Sequence, residues 1–411
     1  MNKYNKQYLT FLLASAALLQ VRANSTITIT GLDIDASKTQ LAFPQATLTG
    51  TGENTICFDL NSCYTGFCQL TLGSMKKTIY IDDGTSLQIA FNSEKQGKDR
   101  FVFNGKSASA NTYLNNLDNM SKNVDQLANL PETFRHWETL RQKYGQLRAT
   151  YAKTGWEKAS KDELCAQLKE YPQLWFTTEY KAFFLDALYA IGMKTGGSNI
   201  HDYTLEEMKY VQQNVCDRYM ADELMKHIMT MYMKLRGADD SADLMQLFLT
   251  VVTDTKTRDE ILTLHAAWKK VERGQQLPDF SFTDINGKQV NLSDFKGRYV
   301  FIDCWATWCG PCKGQLPHLK NLEERYHDKN IVFVSISSDK DRSAWTKMVR
   351  EKSLGGVQLN EPRLDSDFFT LFQVNAIPRF ILLNPDGTVY DANMSRPSNS
   401  ETPLLLDMLL K

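Results

Sequence analysis

The chain has 411 residues, more than one ordinary hydrophobic core accommodates, so two or three domains are expected. With 42% hydrophobic, 23% charged and 11% aromatic residues, its composition is globular rather than disordered or fibrous. A formal net charge of −1 supplies no basic field for nucleic acid or an anionic membrane, which sets those partners aside.

Lys3 and Lys6 precede the apolar run YLTFLLASAALLQV, residues 8–21, and Val21 and Ala23 then occupy the small-residue positions of a cleavage site. That run is short of the ~20 residues a membrane-spanning helix needs. A signal peptide over residues 1–23, cleaved near Ala23, is therefore expected. No cysteine follows the cleavage point to carry a lipid anchor, and no later segment is long and apolar enough to span a bilayer. The expected location is exported, in a periplasm, where thiols pair unless something keeps them reduced.

Residues 24–106 read as a β-rich, sandwich-like domain. TITITGLDI, NTICFDL, FCQLTLG, KTIYIDD, SLQIAF and RFVFNG are short alternating or β-branched runs separated by turn-formers. Residues 107–273 change to a helical pattern, with a start at Ser107 or Ser109. Apolar residues at three-to-four spacing run through TFRHWETLRQKYGQLRATYAK, KDELCAQLKEYPQLWF, TEYKAFFLDALYAIGMK, TLEEMKYVQQNV and RDEILTLHAAWKKVERG. Their aromatics read as core. GQQLPDF, residues 274–280, looks like a linker into the last domain, 274–411. There a hairpin-like DINGKQVNLSDFKG, the buried-strand pattern RYVFIDCWA, a helix, NIVFVSISSD, the helix RSAWTKMVREK, AIPRFILLN, TVYDA and a closing helix alternate. That alternation implies an α/β sheet with parallel pairs.

The chemistry concentrates at Asp303–Pro317, DCWATWCGPCKGQLP. Cys309 and Cys312 stand where a buried strand gives way to a helix, and at that spacing their sulfurs close or open with little backbone movement. The free N–H groups of the helix start favour a thiolate at Cys309. Cys309 then attacks a substrate disulfide, and Cys312, one turn in and more buried, resolves the mixed disulfide. Trp308 would cover the pair with an apolar plane, and Pro311 would limit how far the loop opens. A metal site would need a second ligand pair, and only Cys304 and His318 lie near. A purely structural bridge over three residues would constrain the unfolded chain least.

The segment FIDCWATWCGPCKGQLP resembles the thioredoxin superfamily active site, and residues 275–411 resemble its exported TlpA/ResA-like branch. The supporting pieces are LPDFSFTDINGKQVNLSDFKG, VFVSISSD and VNAIPRFILLNPDG. The β-plus-helical portion before them loosely resembles that of Bacteroides-type exported proteins and brings no activity with it. The resemblance implies a thioredoxin-like α/β domain behind a β-rich domain and an all-α middle region. It makes Cys309 the nucleophile and Cys312 the resolving thiol of a redox-active disulfide. Asp303 becomes the buried carboxyl, its pKa raised by desolvation, that takes the Cys312 proton. Pro378 becomes the cis-proline facing the cysteines, leaving the Ile377 backbone free to pair with a substrate strand. Trp308, Gly310, Pro311, Ile377 and Arg379 line the substrate face, and Pro317 bends the helix. Two positions depart from the pattern. Gln315 stands where a glutamate is common, which leaves Asp303 as the main acid–base group. Arg379 replaces the usual threonine, placing a cation near the loop or simply a solvated arginine at the surface.

The Gly-Pro pair between the cysteines is that of thioredoxin, a reductant at about −270 mV, so reduction is the expected direction. Peroxidase activity is not expected, because the proline and threonine spacing of peroxiredoxins is missing before Cys309. No dissociable cofactor and no metal are called for. The partners are protein disulfides and an upstream dithiol donor, membrane-bound. The alternative is a protein whose residues 24–273 capture a client or ligand, with the redox domain accessory to that capture. Among the other cysteines, a hairpin turn at Ser62 and Cys63 would set Cys57 opposite Cys68 for a cross-strand disulfide. Cys165 and Cys216 read as small buried residues, and Cys304 as a core thiol facing away from Asp303.

Overall fold

The structure is a computed structural model that describes residues 25–31, 35–44, 46–52, 55–60, 64–117 and 127–411. The expected signal peptide, residues 1–23, and Cys63 lie outside the described residues. The chain divides into two compact units. One holds the residues up to Lys194 together with Val215–Met220, and the other holds Thr195–Asn214 with Ala221–Lys411. The helical stretch is thus shared between them.

Among the described residues the first unit has eight strands: β1 (Ser25–Gly31), β2 (Thr39–Phe43), β3 (Ala46–Thr49), β4 (Thr55–Leu60), β5 (Gly66–Leu72), β6 (Met75–Ile81), β7 (Ser86–Phe91) and β8 (Phe101–Gly105). They form two four-stranded sheets, in the orders β4-β1-β7-β8 and β3-β2-β5-β6. Period-two patterning sends one side of each strand inward. Ile27, Ile29, Phe58, Leu41, Leu70 and Ile79 meet in a single core, which makes this a β-sandwich. The Cys57–Cys68 pairing expected above does not form. β4 pairs with β1 in one sheet and β5 with β2 and β6 in the other, so the chain changes sheets instead of turning back on itself. Strand alternation then leaves Cys57 exposed and Cys68 in the core, both as free thiols.

Helices follow, among the described residues α1 (Ala108–Asn115), α2 (Glu132–Thr154), α3 (Lys161–Gln167) and α4 (Thr178–Gly196). Ser107 starts α1, although its hydroxyl lies 2.8 Å from that of Thr85 and does not cap the helix. The expected helix over KDELCAQLKEYPQLWF stops at Gln167, and Pro172 opens a separate single turn. The aromatics are core: Tyr144 meets Tyr180 edge-on at 4.9 Å, and Phe134 meets Tyr80 at the same distance.

The second unit begins with α5 (Ile200–Asn214), α6 (Arg218–Arg236) from Ala221 onward, α7 (Ala242–Val251) and α8 (Thr255–Lys269). The buried reading of two cysteines is corrected here. Cys165 is half-buried, one step round α3 from the core residue Leu164. Cys216 is exposed between α5 and α6, its N–H donating to the Glu170 carboxylate at 2.9 Å.

The remaining elements are β9 (Ser281–Asp284), β10 (Gln289–Asn291), β11 (Tyr299–Trp305), α9 (Gly310–Arg325), β12 (Ile331–Ser337), α10 (Arg342–Glu351), β13 (Val357–Asn360), α11 (Asp367–Leu371), β14 (Arg379–Leu383), β15 (Val389–Met394) and α12 (Glu401–Leu409). Their seven-stranded sheet runs β10-β9-β13-β12-β11-β14-β15, with β11, β12 and β13 mutually parallel. The two crossovers carry α9 and α10 to the same face by the right-handed rule. β11 is buried from Val300 to Trp305, which is why it reads as a continuous apolar run. Among the described residues no helix is long and apolar enough to cross a membrane.

Candidate active site

β11 ends at Trp305, and four residues later Cys309 stands as the N-cap of α9. A cysteine there meets unpaired helix N–H groups. The Cys312 N–H donates to the Cys309 sulfur at 3.1 Å, contact that favours sulfur as thiolate. Cys309 and Cys312 are joined in a disulfide, with Cα atoms 5.3 Å apart. Their residual exposures are 5% and 2%, so Cys312 is the more enclosed. The Cys309 sulfur lies 3.7 Å from the Ile377 carbonyl oxygen, and the Ile377–Pro378 bond is cis. These residues meet as one cluster although 68 positions separate them in sequence.

Around the disulfide the surface is open. Trp308 is 63% exposed, and a side chain added at Gly310 would meet nothing within 4 Å. Pro311 sits in the first turn of α9, where a missing N–H costs nothing. Pro317 stands inside the helix and cannot donate to the carbonyl one turn earlier. Gln315, in place of an acid, accepts from the Ser398 N–H at 3.1 Å and ties α9 to the approach to α12.

Asp303 is 4% exposed. Burial, then the charge of Glu323, push its carboxyl up to about 8. Its neighbour Cys304 is fully buried, and desolvation raises that thiol well above its ordinary range, as suits a core residue. Cys304 pairs in register with Arg379 on β14, so both face away from Asp303. Arg379 is not a solvated surface side chain. Its guanidinium lies over the Trp268 ring at 5.5 Å, and its Nη1 is buried without a hydrogen-bond partner.

Two acids of this site carry no obvious sequence signal. Asp339, just past β12, accepts from the Thr307 N–H at 2.9 Å, the Thr307 hydroxyl at 2.7 Å and the Ser337 hydroxyl at 2.7 Å. It anchors the chain two residues before Cys309. Its position at the end of VFVSISSD, where a strand reaches the sheet edge beside the loop, is the one available hint. Glu323, on α9, is pushed up to about 7, chiefly by burial and then by Glu324. Nothing in the helical spacing separates it from the solvated Glu324 beside it.

A disulfide at a helix start, with a buried carboxyl on the preceding strand of a mixed sheet, is the arrangement of a thioredoxin-fold thiol-disulfide oxidoreductase. The Redoxin family matches residues 272–403. Over 127 residues the chain is 33% identical to the thiol-disulfide oxidoreductase ResA of Bacillus subtilis, covering 30% of this chain and 68% of that protein. It is 30% identical over 122 residues to the ResA protein of Bacillus thuringiensis, covering 29% and 69%. A solved thiol-disulfide oxidoreductase from Bacteroides fragilis is 28% identical, covering 33% of this chain and 100% of that one with a TM-score of 0.30. The chain belongs to the ResA-like thiol-disulfide oxidoreductases, through its C-terminal domain.

Proposed function

We propose that the protein is an exported disulfide reductase that passes two electrons from the Cys309–Cys312 dithiol to disulfides of other proteins. The Cys309 thiolate attacks one substrate sulfur, forming a mixed disulfide and releasing the other substrate sulfur as a thiolate. Cys312 then attacks Cys309, the bond between Cys309 and the substrate breaks, and the Cys312 proton passes to Asp303. A second dithiol protein, membrane-bound, re-reduces the pair, and no dissociable cofactor takes part. The observation that carries this reading is the Cys312 N–H held 3.1 Å from the Cys309 sulfur, which favours Cys309 as the attacking thiolate. Trp308, Gly310, Pro311, the Ile377 backbone and Pro378 form the face that meets the substrate. The Gly-Pro dipeptide supports the reducing direction.

The test is insulin-disulfide reduction by the full-length dithiol form, with dithiothreitol as the recycling reductant. Turnover is expected, with loss of activity in Cys309→Ser and an accumulating mixed disulfide in Cys312→Ala. Absence of turnover, together with a potential as oxidising as the DsbA value of about −120 mV, would sink the reductase reading.

A further inference from the structure

Asp303 is sealed in, yet a group that takes a proton on every cycle must also lose it. In-register pairing shows where that proton can go. Asp303 on β11 pairs with Ser335 on β12, and Ser335 pairs with Gln358 on β13. Register partners share a face, so these three polar side chains form a row beneath α9, each step about 5 Å. The core beside this row is apolar: Phe301, Phe333 and Phe380 flank it. At its far end the row meets a cleft of about 470 Å³ between α9 and the turn after α10. Ser335, Gln358 and Glu323 all line that cleft.

Two details mark the cleft end as built for exchange. Gln358 donates its amide N–H to the Gly355 carbonyl at 2.7 Å, while its Oε1 is buried with no hydrogen-bond partner. A buried acceptor of that kind calls for water. Glu323 rests against Gly355 and Gly356 so closely that a Cβ at Gly355 would fall 2.2 Å from its Oε2. The glycines give the carboxyl its seat.

We propose that Glu323 is the outer station of a proton path that runs from Asp303 along Ser335 and Gln358 into this cleft. The inference rests on the oxidoreductase reading. When Cys312 attacks, the new bond joins the two cysteine sulfurs and the substrate leaves as a thiolate. The Cys312 proton goes to Asp303, from there through cleft water to Glu323, and from Glu323 to solvent, which reprotonates the substrate thiolate. No oxidant or reductant beyond the dithiol and the substrate disulfide enters. Glu323 touches neither substrate nor sulfur and acts through Asp303, so it is a positioning and relay residue. The other charges facing it are Lys320 and Glu324 on α9, with Lys313 and Lys352 on the cleft wall. Asp303 faces Glu323 and adjoins Cys304.

The experiment follows the resolution step in the full-length protein. A mixed disulfide between Cys309 and a thionitrobenzoate reporter is formed, and reporter release is timed by stopped flow from pH 5.5 to 9.5. In the wild type the rate should rise to a plateau as Asp303 ionises. In Glu323→Gln the plateau should fall about tenfold, less than loss of a direct acid–base group costs. Its midpoint should also move to lower pH, since a like charge has gone. Imidazole, small enough for the cleft, should restore the plateau, which a distorted fold would not allow. A midpoint that moves over an unchanged plateau, or a lowered plateau that imidazole does not lift, overturns the relay. A wild type that resolves no mixed disulfide condemns the oxidoreductase reading instead, so the two failures are distinct.

Discussion

Asp303 titrates near pH 8 in the folded protein, against an ordinary value of 3.8. Between those limits the folded state holds a proton that the unfolded chain has released, so stability falls as pH rises through the window. Asp303→Asn removes the ionisation and keeps the shape. In urea titrations the variant should be more stable than wild type at pH 8, by a few kcal/mol as an order of magnitude, and the gap should close towards pH 4. A constant gap would show that the carboxyl is not the titrating group. The same variant should resolve mixed disulfides roughly a hundredfold more slowly, the scale of a lost general base. Stability gained where activity is lost is the signature of a charge buried for chemistry. Arg379 is also a buried charge, with Trp268 beneath it and Nη1 without a hydrogen-bond partner.

At the scale of elements, the loop before α9 is held from below by the end of β12. Asp339→Ala leaves the Thr307 and Ser337 hydroxyls and the Thr307 N–H without their acceptor. Loss of about 2 kcal/mol or more in urea unfolding at pH 7 is expected. Reduction of the Cys309–Cys312 bond by dithiothreitol should also be faster, and unchanged values on both counts would show that the anchor is idle. The strands and helices around this loop were legible because their signals are local: the apolar run of β11, the three-to-four spacing of α9 and the turn at PDG. That Cys309 and Cys312 pair and that Ile377–Pro378 is cis beside them was an expectation of the resemblance that DCWATWCGPCKGQLP carries. What stayed hidden depends on pairing across the chain. β4 and β5 look like a hairpin until each finds its partners in a different sheet, and that choice decided the fate of Cys57 and Cys68. Glu323 becomes distinctive only where α9 meets Gly355 and Gly356.

For the whole molecule, burial ranks the thiols that are not in the redox pair. Cys57 and Cys216 are exposed, whereas Cys68 and Cys304 are buried and raised by desolvation. Iodoacetamide treatment of the native oxidised protein, read by peptide mass spectrometry, should label Cys57 and Cys216 within minutes. Cys68 and Cys304 should react only after unfolding. Early labelling of Cys304 would contradict a closed core under the active site.

The division of the helical stretch also bears on how this enzyme can be taken apart. A cut at residue 274 follows the linker that the sequence advertises. A fragment starting there would lack Trp268, and Arg379 would lose the ring beneath its cation. Asn393 on β15 would lose the Lys234 and Leu235 carbonyls to which its amide donates, at 2.6 and 3.0 Å. A minimal redox fragment would therefore retain its cysteines while its cis-proline corner presented a newly wetted cation. Client preferences measured on such a fragment would describe a different surface from the one the intact enzyme offers.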